Sequence, residues 1–155
     1  MKFTTDREAL LRPLQLVTGV VERRQTLPVL ANLLFRAGDG VLSMTGTDLE
    51  VELVAEAGDV QIERDGEATI PARKLADIWR SLPEGAAVTV SVEGDRANVR
   101  SGRSRFSLAT LPAADFPKVE SGPGDLELKL DQSSLRSLLD QVSFSMAQQL
   151  SLIHI

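Results

Sequence analysis

The sequence contains no cysteine. Disulfides and thiolate metal sites are therefore excluded, and the chain suits a reducing compartment. Histidine occurs once, at His154, next to the last residue. No apolar run approaches the ~20 residues of a membrane span, and the start lacks the basic-then-apolar pattern of a signal region. A cytoplasmic location without membrane contact is expected. There is no phosphate-binding glycine loop, no nucleophile spaced with a base and no metal-ligand spacing. No enzymatic activity, catalytic residue, metal or cofactor is expected. An excess of basic charge is also missing: the net charge is −5. Taken alone, that argues against nucleic acid, because phosphate binding needs clustered lysine and arginine.

What is present is a chain of 155 residues, 43% hydrophobic, long enough for one domain and the opening of another. Its charge is segregated. Residues 39–67 carry nine acids against one base, Arg64, whereas residues 1–36 carry six bases against three acids and residues 68–108 seven against four. A segregated acidic protein can still present one basic face.

Met1 to Thr5 reads as a short strand and Asp6 as the N-cap of a helix. Leu10, Leu14 and Val17 recur at helical spacing, and Pro13 inside that pattern predicts a kink or irregular turn. A loop with Arg23 and Arg24 follows. Val29 to Phe35 and Val41 to Thr45 read as strands around a Gly38-Asp39-Gly40 turn suited to positive φ. Leu49, Val51, Leu53 and Ala55 alternate with Glu50, Glu52 and Glu56, giving one apolar and one acidic face. Asp48, Glu50 and Glu52 are the only candidates for metal binding or acid–base work. Strand residues two apart share a solvent face, so a solvated face is the better reading. Val60 to Ile62 is another strand, turning at Asp65-Gly66. Ala68 to Ile70 leads through Pro71 to a short helix with the stripe Leu75, Ile78, Trp79 and Leu82, in which Trp79 reads as core. Strands at Val88 to Val92 and Ala97 to Arg100 complete this part.

The order strand, helix, strands thus occurs twice before residue 108. It begins again after residue 125, where Leu126 to Leu130 alternates like a strand and Asp131 heads a helix. Aligning Asp131 with Asp6 matches Leu135 to Leu10, Leu139 to Leu14 and Val142 to Val17.

Arg100 to Pro117 organises the chain. Phe106 and Leu108 point to one face of a strand; Arg103, Arg105 and Ser107 point to the other. Such a strand meets something acidic and apolar at once, or is simply an amphipathic strand. Its sequel, Leu111 to Pro117, is a stiff proline-bounded connector.

GRSRFSL followed by TLPAADFP closely resembles the end of the first domain of the bacterial DNA polymerase III beta subunits, the sliding-clamp family. The opening MKFT and the blocks TLPVLANLL, LSMTGTDLE, PARKL and LPEG extend the resemblance to about Gln149. It implies an α+β DNA-clamp fold, with two strand-helix-strands units per domain and the helices on one side of antiparallel sheets. Residues 1–120 are expected to be the first clamp domain, 121–124 a linker and 125–149 the truncated start of a second domain. The family implies a non-catalytic ring of two chains around duplex DNA that tethers DNA polymerase III. Bases on helices and loops (Arg7, Arg12, Arg23, Arg24, Arg73, Arg80) would then face DNA without reading sequence. Arg24 and Gln149 match family DNA contacts, and Gln148 adjoins the second. Phe106 and Leu108 would fill an apolar pocket on the second clamp chain, where Lys74, Arg103 and Arg105 would meet acids. Polymerase and clamp loader would bind through a C-terminal part that is missing here.

Residues 150–155, LSLIHI, depart from the family. One back-translation of this hexapeptide looks like a transposon end used as a sequencing adapter, so an adapter artefact is expected there and the gene is expected to continue. A rival reading is a stand-alone, single-domain peptide- or DNA-binding module that uses the Arg103 to Leu108 edge.

Overall fold

The computed structural model describes residues 1–23, 26–118 and 124–146. Contacts divide the chain into two units, with the boundary near residue 119.

In the first unit, strand β1 (Lys2–Asp6) runs directly into helix α1 (Arg7–Thr18). Leu10, Leu14 and Val17 are buried on one side of α1, as their spacing predicts. Two expectations need correction. The helix is continuous across Pro13; proline removes one N–H from the hydrogen-bond ladder, and burial of the flanking leucines holds the turn. Asp6 occupies the N-cap position, but its side chain makes no capping hydrogen bond. The end of the helix is secured instead by Arg7 N, which donates to Ala86 O at 2.8 Å.

A 3-10 turn (Pro28–Ala31) precedes strand β2 (Asn32–Gly38), which starts later than the alternation predicts. Strand β3 (Val41–Thr47) returns through a two-residue turn in which Asp39 and Gly40 have φ of 52° and 76°. Two consecutive positive φ angles match the right-handed twist of the hairpin, as the Gly-Asp-Gly signal predicts. Strand β4 (Glu52–Ala57) also begins later than predicted. Residues 48–51 form a closed loop: Asp48 Oδ1 accepts from Glu50 N and Val51 N at 2.9 and 2.7 Å, and Thr47 Oγ1 donates to Val51 O at 2.8 Å. These bonds hold Leu49 at φ 81°, a left-handed conformation that alternation alone cannot reveal.

Strands β5 (Val60–Arg64) and β6 (Gly66–Pro71) lead to helix α2 (Ala72–Ser81), and β7 (Ala87–Glu93), β8 (Arg96–Ser101) and β9 (Ser104–Ala109) complete the set. They form two antiparallel sheets, ordered β5-β1-β7-β8-β9 and β4-β3-β2-β6. The repeat seen in the sequence is interlocked. The strand that leads into α1 pairs with β7, and the strand that leads into α2 pairs with β2. Neither half can close its sheet without the other. Helix α1 packs across β3 and β4 and beside α2, over a single core that includes Phe3, Phe35, Leu42, Met44 and Trp79.

A second apolar cluster, Val29, Leu30, Leu34 and Phe116, is separate from this core. It ties down the connector after β9. Thr69 Oγ1 donates to Leu111 O at 2.8 Å and accepts from Leu111 N at 3.1 Å, and Phe116 is buried.

In the second unit, helix α3 (Gln132–Ser143) is capped by Asp131, whose carboxylate accepts from Ser134 N at 3.2 Å. The strand expected at Leu126 to Leu130 is absent: these residues have no regular structure, and Leu126, Leu128 and Leu130 are exposed. A strand needs a paired neighbour, and no strand of the described residues pairs with this segment. Leu135, Leu138, Leu139 and Val142 of α3 are likewise exposed. No helix among the described residues is long and apolar enough to cross a membrane.

Candidate functional site

Two surfaces of the first unit carry the residues singled out by sequence. The first is the exposed side of the helices and the loop after α1. Arg73, Asp77 and Arg80 recur at i, i+4 and i+7 and are all exposed on one stripe of α2, with Lys74 beside them. Arg12 is exposed on α1, and Arg23 in the loop. Neither is ion-paired among the described residues.

Three other bases of this surface, Arg7, Arg80 and Arg73, are engaged within the protein. Arg7 is largely inside: its side chain is 15% exposed, Nε donates to Trp79 O at 3.1 Å, and Nη1 pairs with Glu8 at 3.1 Å. Arg80 pairs with Asp77 at 2.8 Å, which offsets its charge on the stripe. Arg73 Nη2 donates to Val21 O at 2.9 Å. Spacing could not foretell the partners of Arg7 and Arg73, because Trp79 lies 72 residues from Arg7 and Val21 lies 52 from Arg73. Arg24, Gln148 and Gln149 lie outside the described residues.

The second surface is the free edge of the five-stranded sheet. Strand β9 pairs only with β8 in this sheet and ends it. One row of inward side chains crosses the sheet in register, from Ile62 through Phe3, Val90 and Val99 to Phe106. Phe3, Val90 and Val99 are each 1% exposed, and Phe106 is half-buried where the row reaches the free edge. Leu108 shares the same face but is only 9% exposed, in the core of its own unit. Sequence alternation puts both on one face but cannot tell which of them stays accessible.

On the opposite face, Arg105 stands directly across from Arg100, and both are exposed. Like charges directly opposed on a sheet repel, and neither arginine has a carboxylate partner among the described residues. Arg103 is exposed in the turn before β9, beside Gly102 at φ 56°. Alternation did not single out Arg100; only the β8–β9 register pairs it with Arg105. An edge strand with an accessible phenylalanine and unpaired arginines suits an acidic, apolar strand added alongside.

The carboxylates considered for chemistry behave otherwise. The backbone N–H groups of Val51 and Glu50 hold the Asp48 carboxyl below its usual range, so this group closes a loop. Among the described residues, no three His, Cys, Asp or Glu side chains converge as a metal site would require.

Comparison with known proteins places these surfaces in context. Residues 1–120 match the family described as DNA polymerase III beta subunit, N-terminal domain. The beta sliding clamp of Pseudomonas putida is 59% identical over 152 residues, which cover 96% of this chain and 41% of that protein. That of Escherichia coli K12 is 54% identical over 149 residues, with the same coverage. The chain therefore spans about 41% of the length of the curated relatives it matches. Among solved structures, a Pseudomonas aeruginosa sliding clamp superposes with a TM-score of 0.88 at 57% identity, covering 96% of this chain and 40% of that one. Caulobacter crescentus pol III beta superposes with 0.91 at 40% identity, covering 97% and 40%. With two interlocked antiparallel sheets, a free basic edge and a family match that runs through the whole first unit, the chain belongs to the DNA polymerase III beta subunit family, whose N-terminal domain it carries in residues 1–120.

Proposed function

We propose that residues 1–120 are the first domain of a sliding clamp, a non-catalytic processivity factor of two chains that encircles duplex DNA and tethers the replicative polymerase. Residues 125–149 then open a second clamp domain. The observation that carries this reading is the 96% coverage of this chain by sliding clamps of 54–59% identity. In the proposed ring, the exposed bases of the helices and of the loop after α1 meet phosphates. Contacts of that kind are sequence-independent and permit sliding. Arg12 and Arg23 are exposed without an ion pair among the described residues, and Arg73 and Arg80 are exposed with partners at Val21 and Asp77; Arg24 and Gln149 join them by family likeness, with Gln148 beside the second. Arg7 supports the domain from inside.

The β9 edge is proposed as the contact with the second clamp chain. Phe106 enters an apolar pocket there, while Lys74, Arg103 and Arg105 face acids. Leu108, expected from the family to enter the same pocket, is buried within the first unit and takes no part in the proposed contact. Polymerase III and the clamp loader are proposed to bind through parts of the ring beyond this sequence.

The test is sedimentation of a protein extended to the length of the relatives. Phe106→Asp combined with Arg105→Glu should give a folded monomer that no longer stays on closed circular DNA. A dimer that survives both changes at micromolar concentration would refute the edge assignment. Leu108→Asp is unsuited to this test, because a buried charge would unfold the domain itself.

A further inference from the structure

We infer that Arg100 joins Arg105 to form a seat for one carboxylate side chain of the second clamp chain; this rests on the β9-edge reading above. The outward face of the five-stranded sheet carries a polar row in register, from Gln61 through Thr4, Thr89 and Arg100 to Arg105. The row ends in two exposed arginines at the free edge. The turn after Arg100 is fastened to β7, because Ser101 Oγ donates to Ala87 O at 3.0 Å. Both arginines line a groove of about 650 Å³, in which the only carboxylate is Glu63. Lys2 and Thr4 already hold that carboxylate. Neither arginine has an ion pair among the described residues. The edge therefore carries two opposed like charges that the first unit leaves unbalanced.

A strand added along β9 would lie about 4.8 Å beyond it. Its outward side chains would stand beside Arg105. Arg100 is one strand further in, and an arginine side chain is long enough to span one such spacing. A carboxylate on the added strand thus comes within reach of both guanidinium groups, each of which can take it through a planar fork of N–H donors. Such an acid would also relieve the repulsion between the two arginines. Arg100 then has effects of opposite sign: it costs the lone chain stability and strengthens the dimer. A merely structural arginine would support the lone chain, and a solvated one would leave the dimer unmoved.

The experiment uses Arg100→Gln, which keeps a polar side chain and removes the charge. In the 155-residue chain the urea midpoint, followed by the fluorescence of Trp79, should rise by about 0.2 M. In the protein extended to the length of the relatives, sedimentation should show the dimer dissociation constant raised about tenfold at 50 mM salt. At 500 mM salt the loss should shrink to within about twofold, as screening of a charge contact requires. A midpoint that fails to rise would show that the two charges do not oppose each other and would overturn the inference. An unchanged dissociation constant at low salt, or an equal loss at both salt concentrations, would overturn it as well. A dimer lost on Phe106→Asp with Arg105→Glu but unmoved by Arg100→Gln would overturn this inference alone. A dimer that survives that pair of changes would remove the edge reading and the seat with it.

Discussion

Arg7 and Trp79 bind each other reciprocally. Arg7 Nε donates to Trp79 O at 3.1 Å, and Trp79 Nε1 donates to Arg7 O at 3.0 Å. The first residue of α1 is thereby fastened to the last turn of α2. Trp79 is 1% exposed, so its indole N–H would be orphaned without this partner. Arg7→Met keeps the backbone carbonyl that accepts the indole N–H and removes the guanidinium from Trp79 O; it should cost about 1–3 kcal/mol, the range for leaving a buried hydrogen-bonding group unpaired. Urea denaturation of the variant checks this; an unchanged midpoint would show that water replaces the guanidinium.

Gly46 permits the close approach of β3 to the end of α1. A methyl group there would lie 2.6 Å from Val17 O, a backbone atom, and 3.0 Å from Leu33 Cδ2 and Val20 Cγ1. The carbonyl belongs to a helix packed on the core and cannot retreat cheaply. Gly46→Ala should therefore destabilise by roughly 1–3 kcal/mol, as overpacking does, although alanine suits a strand better than glycine does. Thermal unfolding provides the measurement, and a gain in stability would contradict the packing.

Leu49 offers the opposite case. It holds φ 81° with its side chain 53% exposed. Leu49→Gly should be neutral or stabilising by up to about 1 kcal/mol, because relief of the left-handed strain offsets the added entropy of the unfolded chain. A loss above that value would mean that the leucine side chain makes contacts worth more than the strain.

Glu8 predicts a pH dependence. The Gly85 N–H donates to both of its carboxylate oxygens at 3.2 Å, and this contact, above the others, holds its carboxyl below the usual range. A depressed folded-state value means that the unfolded chain takes up the proton first as pH falls. The stabilisation is complete above the ordinary glutamate value and is lost as pH drops through the lower, folded value. Glu8→Gln should flatten the acid limb of a stability profile without altering it near neutrality by more than the loss of one exposed contact. Parallel acid limbs for the two proteins would remove Glu8 from the account.

The connector after β9 is fixed by Phe116 in the second apolar cluster and by Thr69 on Leu111. Phe116→Ala should cost about 3 kcal/mol or more, the usual range for emptying a buried aromatic site. It should also open residues 111–118 to proteolysis while the sheets remain protected. Cleavage at the wild-type rate would show that the connector holds without its aromatic anchor.

Periodicity made most of the elements legible. The stripes of α1 and α2, the Asp39-Gly40 turn and the alternation of β9 are local patterns, dictated by which side chains can share a face. The blocks from MKFT to ADFP carried the family. Other features depend on partners far along the chain, and there local reading failed. Alternation between Leu126 and Leu130 signals a strand, but a strand forms only where another offers its hydrogen-bonding edge. Arg7, Arg73 and Arg80 read alike as free bases. Folding brings Trp79 and Val21, both distant in sequence, against Arg7 and Arg73; Arg80 meets Asp77 three residues away on its own helix, and Arg12 and Arg23 are exposed without an ion pair among the described residues. Phe106 and Leu108 alternate identically, yet Leu108 sits in the core beside Ala97, while Phe106 ends an apolar row at an unpaired edge. The sequence determined which residues share a face, because that follows from backbone geometry. Only the tertiary structure decided which of them remain available to a partner, because availability depends on what the rest of the chain packs against.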